Sequence, residues 1–465
     1  MHGGVDASGA SEHPRDRLGR KLGPFDAAML VVASVIGAGI FVTPGQVASL
    51  LPDPGWILLA WTAGGLLSLA GALANAELGA MYPRAGGDYV YLREAFHPAA
   101  GFLVGWTSFF AIYTGTIAAL ALAFAEGVGS RAGLGGASVL AIAVAVTLLA
   151  SALNFVGVEW GARANNLTSL LKIAALLAFV LIGPLTGAGD ATRLVGGAGE
   201  ASGSIAWSDF GRALSPVLFS YLGWNASVYV ASEIRAPARN LPRSLFLGLG
   251  ICVAVYLLVN AVYLYALPLE ELRGTHDAGE AAGLALFGPL GGSLVAGFVL
   301  LSVLGTLNAT VLVGPRIAYA MALDGLFFRG VDRVHARYRT PSVAIAVQAA
   351  VSVALLLLLR GFPSALDFTV FAILLATSAD VLALYRLRRT RPDHPRPYRA
   401  WGHPWVPGAY LLVNGAIAGA MLLGSPFECA VSLAFLASGV PFYRVFARTH
   451  PVEPAAAAAR PADVE

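Results

Sequence analysis

Long apolar runs, most of them 20 residues or more, alternate along this chain with short polar connections. A run of that length, wound as an α-helix, matches the hydrocarbon thickness of a bilayer. The pattern predicts twelve spans, near residues 25–50, 56–82, 98–126, 137–157, 165–187, 209–233, 244–267, 283–322, 341–359, 364–386, 406–424 and 427–446. The third, sixth and eighth exceed what a bilayer needs and are expected to tilt or protrude. The segments near 188–208 and 268–282 carry Gly, Asp, Glu and Ser and read as loops. The chain therefore reads as an all-α polytopic membrane protein.

Composition supports this. Of 465 residues, 57% are hydrophobic and 12% charged, with a mean hydropathy of +0.71. Soluble domains carry about 25% charged residues. Cys252 and Cys429 both fall in apolar runs, and neither reads as half of a disulfide or as a metal ligand. The first apolar run is long enough to span and follows a polar tail reaching Pro24, so no cleavable signal peptide is expected. Only two of the 30 basic residues are lysine, a bias that fits a GC-rich bacterial source.

The placement of the basic residues says more than the net charge of +3. With the N-terminus inside, 23 of the 30 Lys and Arg fall in connections on that side and five on the other, while Lys172 and Arg316 lie within spans. Cytoplasmic loops carry such an excess. The imbalance predicts an inner, cell-membrane protein with both termini cytoplasmic. The arginines from Arg386 to Arg399 abut a span and read as one of these loops rather than as a nucleic-acid patch.

Two spans are interrupted. The first reads Val35-Ile36-Gly37-Ala38-Gly39-Ile40-Phe41, with Pro44 a turn later; the sixth reads Phe219-Ser220-Tyr221-Leu222-Gly223-Trp224-Asn225. Glycine is a poor helix former, and proline removes a donor and crowds the preceding turn. In lipid, unwound backbone is tolerated only where protein or a cavity covers it. Freed N–H groups suit a carboxylate, and freed carbonyls suit an ammonium. Matched interruptions in two halves point to an inverted-repeat transporter. Packing glycines at a helix–helix contact are the alternative.

These stretches resemble the amino acid–polyamine–organocation superfamily, closest to its L-type amino acid transporter branch. The resemblance runs from about residue 20 to 447. It also rests on Ala76-Glu77-Leu78-Gly79, Pro83-Arg84-Ala85-Gly86-Gly87-Asp88-Tyr89-Val90-Tyr91, Glu233-Ile234 and Pro237-Ala238-Arg239-Asn240-Leu241-Pro242. It implies a five-plus-five inverted repeat (the LeuT-like fold), plus two C-terminal helices and alternating access. The expected division is a cytoplasmic tail (1–24), a first repeat (25–187), an outer loop (188–208) and a second repeat (209–386). A basic loop (387–405), two helices (406–446) and a disordered tail (447–465) complete it.

The resemblance also implies a substrate site over Val35, Ile36, Gly37, Ala38 and Gly39 against Phe219, Ser220, Tyr221, Leu222, Gly223 and Asn225. The N–H groups of Ala38 and Gly39 would meet a carboxylate. The carbonyls of Val35, Phe219 and Leu222 would meet an ammonium, with Phe219 as an aromatic gate. Ala38 stands where most relatives have serine, and Leu222 replaces a glycine, which narrows the pocket. Eukaryotic heteromeric members carry a subunit-linking cysteine in the loop near 126–136. None stands there in this chain, so no disulfide-linked heavy-chain subunit is expected.

Lys172 lies inside the fifth span, where a charge is costly and needs partners. Snorkelling toward the inner end, placed at Asn165, is the bland reading. The resemblance implies instead that its ammonium stands where sodium-coupled cousins bind sodium, touching carbonyls near Ile36-Gly37 and Thr306 or Thr310. A buried lysine is also a candidate carrier of a coupling proton.

Glu233 and Arg316 read equally as gate ion pairs and as solvated interfacial charges. Asp88 reads as shaping its turn, and Asp380 as lying too near the cytoplasmic end to reach substrate. Pocket walls are expected from Ile36, Phe219, Ser220, Tyr113 and Ile117, all uncharged. The function expected is sodium-independent transport of neutral L-amino acids, by exchange or proton-coupled uptake. A cationic amino acid or polyamine exchanger is the alternative, and a sensor or channel a more distant one. The substrate and the lipid bilayer are the expected partners. No cofactor, metal or catalytic residue stands out, and no enzyme is expected.

Overall fold

A computed structural model describes residues 18–194, 207–358, 362–424 and 426–449. Of the tail expected over 447–465, residues 447–449 continue the last helix instead, and the rest, like most of the loop near 188–208, lies outside these residues. Among the described residues ten helices are long and apolar enough to cross a membrane. The broken sixth span (Trp207–Tyr221, then Ala226–Tyr229) and the shorter Ser342–Leu358 bring the crossings to twelve. Among the described residues there is no strand, only an isolated bridge between Leu22 and Ile234.

Local chemistry sets the helix ends. Proline opens the helices at Pro24, Pro54, Pro98, Pro237 and Pro315. Its fixed φ suits the first turn, and its missing N–H is one that a helix start leaves unpaired anyway. The Asp53 carboxylate caps the second span by accepting the Trp56 N–H at 3.1 Å, and Asp277 accepts the Glu280 N–H at 2.8 Å. Gly133, in the left-handed region at φ 63°, closes the third span after Ala132.

The first five spans and the next five follow the same order, each set opening on a broken helix, and two further helices come after them. The first and third spans form the centre: 72% of each apolar window is buried. The fourth, fifth and eleventh are peripheral at 22%, and bare leucines such as Leu149, Leu181 and Leu423 face outward. An apolar outer surface of this kind is what lipid requires.

Ion pairs sort the connections into two faces. On one face Glu77 holds Arg388 and Arg396 and accepts the Ala400 N–H at 2.7 Å, Glu94 binds Arg391, and Arg93 pairs with Asp324. On the other, Arg131 pairs with Glu280, Arg193 donates to the Tyr265 and Ala266 carbonyls, and the Gly274 N–H reaches the Gly45 carbonyl. Arg388 and Arg396 are thus tied to Glu77 near the end of the second span, and Arg386 and Arg391 to the helix Asp88–Ala95 that follows it.

Candidate functional site

The first span is helical over Pro24–Val35, unwinds through Ile36, Gly37 and Ala38, and resumes at Gly39–Val42. At the break the Gly37 N–H turns back to the Val35 carbonyl at 2.8 Å. The N–H groups of Ala38, Gly39 and Ile40 have no acceptor among the described residues. The sixth span unwinds from Leu222 to Asn225. There the Phe219 carbonyl accepts the Leu222 N–H at 3.1 Å, and Gly223 sits at φ 94°.

The glycines pack the two breaks together. A Cβ on Gly39 would lie 2.8 Å from Ser220 Cα, and one on Gly223 would lie 2.9 Å from the Ser34 carbonyl oxygen. The packing role and the broken backbone, alternatives in the sequence, coincide here. Tyr256 joins the same contact from the seventh span. Its hydroxyl is 2.8 Å from the Val35 carbonyl and 3.1 Å from the Ser220 carbonyl. With one hydrogen, it donates to one at a time.

Between the breaks lies a cavity of about 140 Å³, room for on the order of ten waters and so for a small solute. Val35, Gly37, Ala38, Gly39, Phe219, Ser220, Leu222, Gly223 and Asn225 line it. Ile36 and Tyr221 do not. Ile36 is fully buried behind the break with its carbonyl turned to Lys172, and Tyr221 packs edge-on against Trp61. Val35 already carries two donors on its carbonyl, from Gly37 and Tyr256. The Ser220 hydroxyl is engaged by Thr43 Oγ1 at 2.8 Å and the Pro216 carbonyl at 3.1 Å.

The third span departs from expectation for a clear reason. Its residues Ser108–Tyr113 form a π-helical turn. The extra residue shifts the helical phase. Tyr113, Ile112, Thr116 and Leu120 reach the cavity, while Ile117 turns away into a buried cluster.

Lys172 is fully buried. Its helix starts at Val158 rather than at Asn165. That puts it 14 residues in, about 21 Å along the axis, too deep to snorkel. Its ammonium donates to the Ala33 carbonyl at 3.1 Å, the Ile36 carbonyl at 2.5 Å and Thr306 Oγ1 at 3.0 Å. All three N–H donors are used. Thr310 instead donates to the Thr306 carbonyl. Ser302 adds a hydroxyl to the Ile36 carbonyl at 3.0 Å.

Glu233 and Arg316 make a two-pronged ion pair, 2.7 and 3.2 Å long, with both side chains 1% exposed. They are not solvated interfacial charges. Asp88 is more than a turn former. Gly86 and Gly87, at φ 107° and 50°, turn the chain so that Asp88 is buried beneath the sixth break and borders the cavity. The Tyr229 hydroxyl donates to its Oδ2 at 2.5 Å.

The chain matches the amino acid permease family over residues 22–443. It is 30% identical over 436 residues to the serine/threonine exchanger SteT of Bacillus subtilis (strain 168), covering 93% of this chain and 98% of that one. The chain belongs to the amino acid permease family. This permease is also 28% identical over 442 residues to the human b(0,+)-type amino acid transporter 1, covering 94% and 90% of the two chains. It is 28% identical over 450 residues to the human large neutral amino acids transporter small subunit 2, covering 92% and 80%. Each of these names describes a transporter or exchanger, which fits a permease rather than an enzyme.

Proposed function

We propose that this permease exchanges neutral L-amino acids without sodium, by alternating access around the paired breaks. One observation carries the reading. Unpaired backbone N–H groups at Ala38 and Gly39 stand at a small cavity, and the carbonyls behind them are already occupied by Lys172. Unpaired N–H groups at a helix start bind a carboxylate. The Phe219 and Leu222 carbonyls retain capacity for the ammonium. The apolar and hydroxyl-bearing walls, from Ile112, Thr116, Leu120, Val370 and Ile373, suit an uncharged side chain. The names of the serine/threonine exchanger and the large neutral amino acid relative support the same substrate class. The site residues are Val35, Gly37, Ala38, Gly39, Phe219, Ser220, Leu222, Gly223 and Asn225, with Ile36 and Tyr221 supporting them from behind.

A cationic substrate is the second reading. It draws on Asp88 at the cavity edge and on the b(0,+)-type relative. The Tyr229 hydroxyl on Asp88 Oδ2 weighs against it. The arginine imbalance supports a cytoplasmic position for both termini, and the absence of a cysteine in the loop near 126–136 supports a transporter without a disulfide-linked second subunit. Competition in proteoliposomes tests the substrate class. Serine, threonine, alanine or leucine should displace labelled substrate; displacement by arginine or putrescine alone would support the cationic reading.

A further inference from the structure

Asp88 follows the second span, on the helix Asp88–Ala95, and Asp380 lies in the tenth span, on Phe362–Thr390. The two helices pack against each other, and the two carboxyls lie close enough to act on one another directly. Both residues are buried, at 1% and 0% exposure. Each carboxyl has one oxygen with an ordinary donor: Tyr229 Oη on Asp88 Oδ2, and Asn75 Nδ2 on Asp380 Oδ2 at 3.1 Å. The other oxygens, Asp88 Oδ1 and Asp380 Oδ1, have no donor among the described residues. The Tyr91 hydroxyl, also fully buried beside both carboxyls, is unpartnered as well.

Two ionised carboxylates held together in a dry site repel strongly unless a counter-charge or a shared proton relieves them. The groups facing the pair contain no counter-charge. They are Asn75 from the second span, Tyr91 from the helix carrying Asp88, Tyr113 from the third span, Tyr229 after the sixth break and Tyr410 from the eleventh span. The buried arginines are engaged elsewhere, Arg316 with Glu233 and Arg396 with Glu77, and Lys172 with the first break. Among the described residues no group of three or more His, Cys, Asp or Glu could hold a metal ion.

We propose that Asp88 and Asp380 form a proton-binding site at the floor of the substrate cavity, holding one proton between Asp88 Oδ1 and Asp380 Oδ1. Asp88 borders the cavity, so the proton exchanges with cavity water. Asn225 Nδ2 donates to Tyr229 Oη at 3.3 Å, and Tyr229 donates to Asp88. The pair is thus wired to the sixth break. Loss of the proton puts a second negative charge on the pair. The repulsion pushes the Asp88 helix from the tenth span and pulls on Tyr229. Proton occupancy therefore gates substrate exchange, and exchange falls as pH rises through the titration of the pair. This last step rests on the exchange activity proposed above; the proton site itself does not.

Infrared spectroscopy of the purified permease, without substrate, tests the site. A protonated carboxylic acid band should be present at neutral pH, shift on heavy-carbon labelling of the aspartate carboxyls, and vanish at alkaline pH. Asp380→Asn should remove it, because the amide then donates to an ionised Asp88. Absence of an aspartate band in the parent would overturn the site and mark the pair as ionised and holding a cation. Exchange in proteoliposomes tests the gate. In the parent, the rate should fall about tenfold per pH unit above the titration, following the protonated fraction. In Asp380→Asn the ratio of acidic to alkaline rates should approach one. An unchanged pH profile would overturn the gate. The infrared test on the parent stands whether or not the variant folds and whether or not neutral amino acids are the substrate.

Discussion

The Lys172 ammonium and the Ile36 carbonyl meet at 2.5 Å, across the contact between the fifth span and the unwound stretch of the first. This bond, with those to Ala33 and Thr306, ties a buried charge to the break whose next N–H groups face the cavity. The break is therefore held open on its carbonyl side by a cation within the chain.

Lys172→Ala should loosen this stretch. The Ser302 and Thr306 hydroxyls still reach the Ile36 and Ala33 carbonyls, so what is lost is the charged donor, about 1.5–3 kcal/mol. A coupling of that size corresponds to a roughly 10- to 150-fold change in a population. Exchange should fall by that order while the protein still purifies as a monodisperse species. Exchange equal to that of the parent would detach Lys172 from the site.

The packing of the two breaks predicts a sharp contrast among glycines. Gly39→Ala drives a methyl group against Ser220 Cα, and Gly223→Ala meets both the Ser34 backbone and a positive φ. Both should abolish detectable exchange. Gly250→Ala, in the seventh span with nothing within 4 Å of the added carbon, should leave exchange intact and raise stability by about 0.5–1 kcal/mol. Thermal unfolding and exchange, measured on the three variants together, check this.

Much of this was legible in the sequence, for physical reasons. Span length and the arginine bias come from the bilayer itself, so the crossings and their grouping could be read before any contact was known. The breaks at Gly37–Gly39 and Gly223 were legible because glycine and proline act on their own backbone. What was hidden depends on partners distant in the chain. Nothing local marks Tyr256 as the residue touching both breaks. Asp88 looked like a turn former because Gly86 and Gly87 do make a turn; that this turn carries it under Tyr229 is a tertiary fact. Ile117 was misassigned because a π-helical turn leaves no dependable trace in apolar periodicity. Lys172 appeared close to a helix end because the start at Val158 was read seven residues late.

Glu233 and Arg316 join the segment after the sixth break to the turn into Pro315–Leu323. Removing one partner strands a buried charge, at a cost of about 3–5 kcal/mol. Glu233→Ala or Arg316→Ala alone should lower the thermal midpoint markedly. The double replacement by apolar residues of similar volume should recover most of the loss. A double replacement that costs the sum of the two single ones would mean the two side chains act independently.

Leu222 projects into the cavity from the sixth break. Leu222→Gly should widen it and shift selectivity toward larger side chains. Competition by tryptophan relative to alanine should improve about tenfold, the scale of a methylene or two in an apolar pocket. Unchanged selectivity would place substrate side chains elsewhere.

The central claim is that an internal lysine takes the place of a coupling sodium at the broken first helix. Counterflow of labelled serine into proteoliposomes loaded with unlabelled serine tests it most directly, with sodium either present as a gradient or wholly replaced by an impermeant organic cation. The account predicts equal initial rates in both conditions. Counterflow that appears only with the sodium gradient would contradict it.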